Sequence, residues 1–285
     1  MLTLDAERLE AYRACTFHLL SNLRVTSQKQ AISFVHERGF VYFWPITGVV
    51  LPSLWTAVAG KRPVADAHDD PGHVTWGWKD ALLGQHEWYY AKILRKRATM
   101  ISMELAPFFY ALSENYGAYE EDYLTQYEQG RLTQEAKTIY ETLLFEGSLD
   151  TVALRRTTHM NSPSSDSRFN RALADLQADF KIVPIAVTQA GAWHYAFAYD
   201  ITARHYPEIV QLAHTISENQ ARLVLVEHYL KSVGVAQVHD IARLFNWKPG
   251  LAQNTVEQLC SSDLLKQDIQ VEMKTGSWIA LAQLV

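Results

Sequence analysis

Cysteine is scarce in this chain, which has only Cys15 and Cys260 among its 285 residues. Two cysteines so far apart form neither a disulfide framework nor a zinc site, and we interpret both as buried or unreactive thiols. Long apolar runs are also missing, since no window approaches the ~20 residues that a membrane-spanning helix needs. The first residues lack the basic and then apolar pattern of a secretion signal. These absences predict a cytoplasmic protein with no membrane partner.

Several enzyme signatures are absent as well. The sequence has no G-x-G-x-x-G, no G-K-[ST] loop, no G-x-S-x-G and no H-E-x-x-H, which counts against dinucleotide, phosphate-loop, α/β-hydrolase and zinc-protease sites. We therefore predict no cofactor. The formal net charge of −5 argues mildly against a nucleic-acid partner, because phosphate contacts need positive charge. Positive charges gathered on one face of the fold would outweigh that balance.

What the chain does have is an apolar, aromatic stretch at residues 38–55. The run F-V-Y-F-W at residues 40–44 has the composition of a strand. Pro45 and Gly48 then turn the chain, and Pro52 suits the first turn of a helix. The stretch is either the middle of a core or the floor of a pocket. The other elements predicted up to residue 130 are helices at 4–23, 27–39, 52–60, 74–84 and 105–113, a hairpin of strands at 87–94 and 97–102, and an acidic, tyrosine-rich connector at 115–130.

From residue 131 the order of three helices and a strand hairpin appears twice. The first copy has helices at 133–147, 149–157 and up to 180 and strands at 181–188 and 192–201; the second has helices at 217–234, 238–245 and up to 260 and strands at 264–273 and 277–284. This is the order of a winged helix, and there is no βαβ unit. We predict a mostly α fold with small β hairpins (α+β), in which tandem winged-helix domains at residues 1–130, 131–208 and 209–285 form one compact body and a monomer.

Two groups of cations are candidate DNA contacts. Winged helices usually place their third helix in the major groove, and that helix of the first copy carries Arg168 and Arg171, with Arg155 and Arg156 just before it. These residues either contact phosphates or form a solvated face. The third helix of the second copy has little positive charge, which favours a structural or protein-contact role. At the tip of the predicted hairpin lie four more cations without a nearby acidic run, which predicts either a phosphate contact or a solvated turn: Lys92, Arg95, Lys96 and Arg97.

The chain resembles the AlkZ/YcaQ family of winged-helix DNA glycosylases. The likeness is clearest in L-L-F-E-G-S-L-D-T-V-A-L-R-R, R-A-L-A-D-L-Q-A-D-F-K-I-V-P-I-A-V and Y-A-F-A-Y-D-I-T-A-R-H-Y-P between residues 143 and 207. It continues through residues 221–245 and extends, more weakly, to G-F-V-Y-F-W-P-I and W-G-W-K-D-A-L-L. The resemblance implies a bacterial protein that binds double-stranded, damaged DNA and hydrolyses the N-glycosidic bond of an alkylated or crosslinked base.

The family's catalytic motif is not matched. It consists of glutamine, an apolar residue, and glutamine or aspartate, whereas the aligned positions here are Tyr42 and Trp44, which cannot position or deprotonate water as an amide or carboxylate does. Downstream, the family has tryptophan, a spacer, histidine and glutamate, whereas Trp76 is followed here by Gly77, Trp78 and Lys79. The resemblance therefore implies the fold, and the mechanism does not transfer.

A polar loop offers replacements for the missing carboxylate. Asp69, Asp70 and Asp80 are the catalytic candidates. The same loop, with His68 and His73, either binds a divalent metal or is simply hydrogen-bonded, and the spacing favours the latter. Tyr42, Trp44, Trp76 and Trp78 are candidates for stacking on a flipped base, with the core as the alternative place for each. Three functions stay open: a glycosylase, a non-catalytic DNA binder acting as a regulator or lesion sensor, and a protein scaffold.

Overall fold

The computed structural model describes residues 2–285. Many of its helices begin at a side chain that caps the N-terminus or end at a glycine. The carboxylate of Asp5 accepts hydrogen bonds from the backbone N–H groups of Glu7 and Arg8 at 2.6 and 3.1 Å, so it caps the first helix. Ser27 caps the second helix. Gly39 ends that helix at a φ of 79°, where a side chain would be strained and would meet Leu105.

The N-terminal third contains one small sheet enclosed by helices. Its elements are β1 (Thr3–Leu4), α1 (Ala6–Thr16), α2 (Gln28–Arg38), β2 (Phe40–Tyr42), α3 (Leu54–Ala59), α4 (Val74–Leu82), β3 (Tyr89–Lys92), β4 (Ala98–Ile101), α5 (Ala106–Tyr110) and α6 (Asp122–Glu128). Strand β4 lies between β2 and β3 and pairs with both in antiparallel fashion.

The remaining two thirds repeat this arrangement. The middle part consists of α7 (Gln134–Glu146), β5 (Leu149–Asp150), α8 (Thr151–Thr157), α9 (Asp166–Ala178), β6 (Ile182–Thr188), β7 (Ala196–Ile201), α10 (Thr202–His205) and α11 (Pro207–Ala213). The last part consists of α12 (Glu218–Val233), β8 (Val235–Ala236), α13 (Val238–Phe245), α14 (Pro249–Ser261), β9 (Leu265–Val271) and β10 (Trp278–Leu281). Each part has its own sheet, ordered β5-β7-β6 and β8-β10-β9, and β1 extends the last sheet by pairing in parallel with β9.

The order helix, strand, helix, helix, strand, strand thus occurs three times, starting at α2, α7 and α12. In all three sheets the last strand of the unit lies between the other two. The predicted α+β class with small hairpins is confirmed. The winged-helix interpretation and the predicted domain boundaries stay predictions.

Several predicted elements differ from the observed ones. The first helix ends at Thr16, well before residue 23, because His18 adopts a left-handed φ of 55°. The connector at 115–130 contains α6, and the helix predicted to begin at Pro52 is capped by Ser53. The helix predicted at 149–157 begins at Thr151, because the carboxylate of Asp150 caps it by accepting from the N–H groups of two helix residues. Helices α10 and α11, which link the second and third units, were missed.

One hydrophobic core joins the three units. Tyr42 and Tyr89 from the first sheet pack in the same cluster as Phe180 after α9 and Leu225 in α12. Burial of this shared apolar surface is the main favourable contribution to holding the units in one body. Within residues 2–285, every helix is too short or too polar to cross a lipid bilayer.

Candidate functional site

A pocket walled by two tryptophans opens beside the first sheet. Trp44 follows β2 and Trp76 lies in the first turn of α4, and their ring centroids are 5.7 Å apart with an angle of 38° between the planes. The pocket encloses about 520 Å³ and is also lined by His68, His73 and Asp66. This volume lies within the roughly 300–1,000 Å³ range of small-ligand sites.

The loop before α4 shapes this pocket through its own hydrogen bonds. Arg62 binds both carboxylate oxygens of Asp70, which also accepts the N–H of Gly72 at 2.7 Å. The hydrogen bonds from Arg62 hold the pKa of Asp70 below its usual value. His73 donates its Nε2–H to the carbonyl of Ala65 at 2.9 Å. The loop is therefore internally hydrogen-bonded, and the tryptophan walls have a fixed support.

Two polar atoms of pocket-lining residues lack a hydrogen bond. Nε1 of Trp44 and Nδ1 of His73 are buried and have no partner among residues 2–285. Because Nε2 of His73 donates to Ala65, Nδ1 is the acceptor in the neutral ring, whereas the indole Nε1–H is a donor. An unpaired buried polar atom costs about 1–3 kcal/mol. The side chains that line the pocket therefore contain one donor and one acceptor whose hydrogen-bonding capacity is not met.

The four predicted stacking residues do not lie together. Tyr42 is fully buried in the shared core, where its hydroxyl donates to the carbonyl of Leu94 at 3.4 Å and burial raises its pKa to about 12. Trp78 lies two residues after Trp76 on α4, which turns it to another face, and it packs against the cluster around Phe43. Only Trp44 and Trp76 line the pocket. The aromatic stretch is thus core at Tyr42 and pocket wall at Trp44.

The three candidate aspartates occupy different environments. Asp69 is exposed, Asp70 is engaged by Arg62, and Asp80 accepts a hydrogen bond from the hydroxyl of Tyr195 at 3.0 Å. None of the three lines the pocket, whereas Asp66 does. Sequence reasoning missed Asp66, because nothing in a loop sequence shows which of its carboxylates turns inward.

Lys79 was also missed as a site residue, and it connects the first and second units. It is 3% exposed, forms an ion pair with Asp80, and donates to the hydroxyl of Tyr195 at 2.8 Å. Burial lowers the pKa of its amine. The sequence does contain a signal for a buried lysine: Lys79 lies three residues after Trp76 on the predicted helix, so it falls on the same apolar face. Tyr195 belongs to the loop between β6 and β7.

The same loop carries an exposed tryptophan close to the pocket. Trp193 is 91% exposed, whereas Tyr195, two residues later, has its ring centroid 6.3 Å from that of Trp76. A large apolar side chain this exposed often marks a binding surface. Trp193 falls in the strand predicted at 192–201, whereas the observed strand begins only at Ala196.

The hairpin cations at residues 92–97 lie against α9. The backbone N–H of Lys92 donates to Gln177, and Lys96 forms an ion pair with Asp175. Lys96 therefore has an acidic partner, which comes from a helix far away in sequence. Arg95 is half-buried, lines a cavity of about 890 Å³ between the units, and has a buried Nη1 without a partner among the described residues. Arg97 is exposed.

The second group of predicted cations also contains both paired and exposed side chains. Arg155 forms an ion pair with Asp166 at 2.6 Å and lies over the ring of Phe169, so it ties α8 to α9. Arg156 is exposed. Arg168 and Arg171 are exposed on α9, although Arg168 reaches Glu135 at 3.1 Å.

Arg168 and Arg171 share one face of α9 with Asp175. Residues spaced by three, four and seven positions lie on one side of a helix. Because Lys96 pairs with Asp175, it continues the line of the two arginines. We call Arg168, Arg171 and Lys96 the α9 basic face.

Nothing in the described chain forms a metal-binding cluster: within residues 2–285, no three side chains among His, Cys, Asp and Glu are placed to hold an ion.

Comparison with known proteins gives one family and one solved structure. The family model named AlkZ related matches residues 25–246. Streptomyces sahachiroi DNA glycosylase AlkZ is similar in fold, with a TM-score of 0.58 at 14% sequence identity, over 99% of this chain and 71% of that one. No curated protein matches the sequence.

Proposed function

The chain belongs to the AlkZ-related family, and we propose that it binds double-stranded DNA and removes a damaged base by hydrolysing its N-glycosidic bond. In this proposal the three units are winged helices that together form the surface that binds DNA. The structural relative is a DNA glycosylase by name, and the repeated order of helices and strands supports a shared way of binding.

The observation that carries the proposal is the pocket between Trp44 and Trp76. A base leaving the duplex loses its stacking partners, and aromatic side chains replace them at about 1–3 kcal/mol per base. The tilted rings of Trp44 and Trp76 offer such a surface.

Of the three predicted aspartates, Asp80 is the best placed to act on a sugar beside this pocket. It follows Lys79 on α4, one turn after Trp76, and its hydrogen bond to Tyr195 sets the orientation of its carboxylate. A carboxylate there would position water or stabilise positive charge that develops on the sugar. Asp69 is the second candidate, since it is exposed. Asp70 is committed to Arg62, which favours a structural role for it.

DNA would approach along the α9 basic face. This face lies on the third helix of the middle unit, and the hairpin of the first unit packs beside it. The exposed Trp193 projects from the hairpin whose Tyr195 contacts Trp76. Phosphate contacts along α9 would therefore bring the duplex toward the tryptophan pocket.

Base release from alkylated duplex DNA tests the activity. We expect the wild-type protein to release a modified base and Asp80→Asn to be slower by at least about 100-fold, as for removal of a general base. Asp263→Asn, at an exposed aspartate after α14, is the matched control and should retain most of the activity. Absence of release from duplexes carrying several alkylated purines would reject the enzymatic proposal.

One observation favours a second function, that of a non-catalytic DNA binder. Tyr42, at the position of the family's polar motif, is buried in the core and cannot contact DNA. In this alternative the pocket holds a displaced base without cleaving it. Tight binding to damaged duplex with no base released would support it.

A further inference from the structure

The amine of Lys79 is enclosed by aromatic rings. Its Nζ lies 4.5 Å from the ring centroid of Phe197, 5.4 Å from Tyr90 and 5.6 Å from Tyr195. Trp76 and Phe43 are within 5.9 Å. Such rings stabilise a cation through their π faces, but they do not solvate it as water does. The surroundings therefore disfavour the charged form, which agrees with a lowered pKa of Lys79.

The enclosure is thin on one side. Trp76 and Tyr195 both lie beside the amine and are 38% and 37% exposed, so the enclosure reaches the protein surface on this side. Trp76 is also a wall of the tryptophan pocket. A sugar whose base occupied that pocket would lie next to this side of the enclosure.

Lys79 has two polar partners that suit proton transfer. Asp80 forms an ion pair with the amine, and the hydroxyl of Tyr195 accepts from Lys79 while it donates to Asp80. These three groups form a closed ring of hydrogen bonds between α4 of the first unit and the hairpin of the second. A purely structural link would not need a desolvated amine, since a neutral apolar side chain would fit the same aromatic surroundings without the cost of burying charge.

We propose that Lys79 is an amine nucleophile that forms an imine with the aldehyde of an abasic deoxyribose. The substrate class is DNA with an abasic site, and the reaction follows base removal. A desolvated lysine is suited to this chemistry because desolvation increases the fraction of the amine that is neutral, and Asp80 is placed to accept the proton that the amine must lose.

The reaction balances without any further reactant. The Lys79 ammonium transfers one proton to Asp80, and the neutral amine attacks C1′ of the open-chain sugar. The carbonyl oxygen takes up that proton and a second one from nitrogen and leaves as water, so a protonated C1′=N bond forms. Loss of a proton from C2′ to Asp80 then allows the C3′–O bond to break, the 3′ phosphate leaves with its electron pair, and water later hydrolyses the imine.

Reductive trapping tests this inference, which rests on the proposed function for its substrate. The full-length protein is incubated with a duplex containing one preformed abasic site and sodium cyanoborohydride. We expect a covalent protein–DNA adduct whose modified peptide contains Lys79. Mapping the adduct in the wild-type protein needs no variant, so the test holds even where a substitution impairs folding.

Substitutions at Lys79 and Tyr195 test the assignment of the nucleophile further. Lys79→Arg keeps the positive charge but cannot form the imine, and it should reduce trapping at least tenfold, whereas Lys29→Arg, at an exposed lysine on α2, should trap as well as the wild type. Tyr195→Phe should slow trapping while leaving the site of attachment at Lys79. No adduct, or an adduct on another lysine, would overturn the inference.

Base release is measured separately on alkylated DNA without reductant. Trapping without base release would support the imine chemistry and count against the proposed base removal. Base release without trapping would support the proposed base removal and count against the imine chemistry.

Discussion

Trp44 and Trp76 come from different elements and form the two walls of one pocket, with ring centroids 5.7 Å apart. Their contact depends on the loop before α4, which places the helix against the end of β2. Trp76 is 38% exposed, so it can be removed with little damage to the core. We expect Trp76→Ala to weaken binding to a duplex with an alkylated base by about 5- to 100-fold, which corresponds to the loss of one stacked base.

Fluorescence anisotropy with labelled duplexes measures this change. Tyr116→Ala, at an aromatic residue that is 74% exposed outside the pocket, is the matched control and should bind as the wild type does. Equal affinity of Trp76→Ala and the wild type would show that the pocket does not hold the base.

The exposed Trp193 gives a second prediction. Because it is 91% exposed, its replacement by alanine should leave the melting temperature unchanged. If it contacts DNA beside the pocket, Trp193→Ala should reduce base release by about tenfold, since loss of an exposed aromatic contact costs about 1–3 kcal/mol. Single-turnover base release and thermal melts measure the two effects. A variant that melts earlier and retains full activity would assign Trp193 to stability and contradict this role.

The α9 basic face predicts a change in salt dependence. Each phosphate contact contributes about 0.9 to the slope of log K against log salt. Replacing both Arg168 and Arg171 by glutamine should therefore lower the magnitude of that slope by about 1 to 2 and weaken binding to all duplex sequences alike.

A double variant with the same charge change elsewhere is the control. Lys29→Gln with Lys61→Gln removes two exposed cations outside this face. Equal slopes for the two double variants would mean that net charge alone, and not the position of the arginines, drives binding.

The repeated helix–helix–helix–hairpin order could be predicted because it depends on local signals. The caps Thr133 and Ser217 and the helix-ending glycines Gly147 and Gly234 act within a few residues, and alternating apolar residues mark the strands. The site depended on contacts between distant segments. Nothing near Lys79 in sequence indicates Tyr195, and nothing near Lys96 indicates Asp175. Trp76 and Trp78 are close in sequence, but the geometry of α4 turns their side chains to different faces of the helix.

The ion pair of Asp70 with Arg62 predicts a pH dependence of stability. The pKa of Asp70 is lowered in the folded protein, so its contribution is fully present above the ordinary value of 3.8 and is lost as pH falls through the folded value. We expect Asp70→Asn to lower the melting temperature at pH 7, with a smaller difference at pH 3. Melts of both proteins at the two pH values measure this. Asp69→Asn, on the exposed neighbour, should show no such difference.

Lys181 also makes stability rise with pH, but in the alkaline range and because its charged form is the one that folding disfavours. It is 3% exposed, donates to the side-chain oxygen of Asn115 at 2.7 Å, and burial lowers its pKa from 10.5 to about 8. Below pH 8 the amine is charged in both states, and the folded protein bears the cost of burying that charge. Between about 8 and 10.5 the folded protein has released the proton while the unfolded chain retains it. Unfolding then requires proton uptake, and stability rises with pH.

The comparison with Lys181→Met isolates this effect, because the tyrosines titrate equally in both proteins. We expect the wild type to gain about 2 kcal/mol in free energy of unfolding relative to the variant between pH 8 and pH 10, at about 1.4 kcal/mol per pKa unit. Urea unfolding at the two pH values measures the gain. Lys29→Met, at an exposed lysine, should show a difference from the wild type that does not change with pH. A constant difference for Lys181→Met as well would mean that the buried amine keeps its proton up to pH 10.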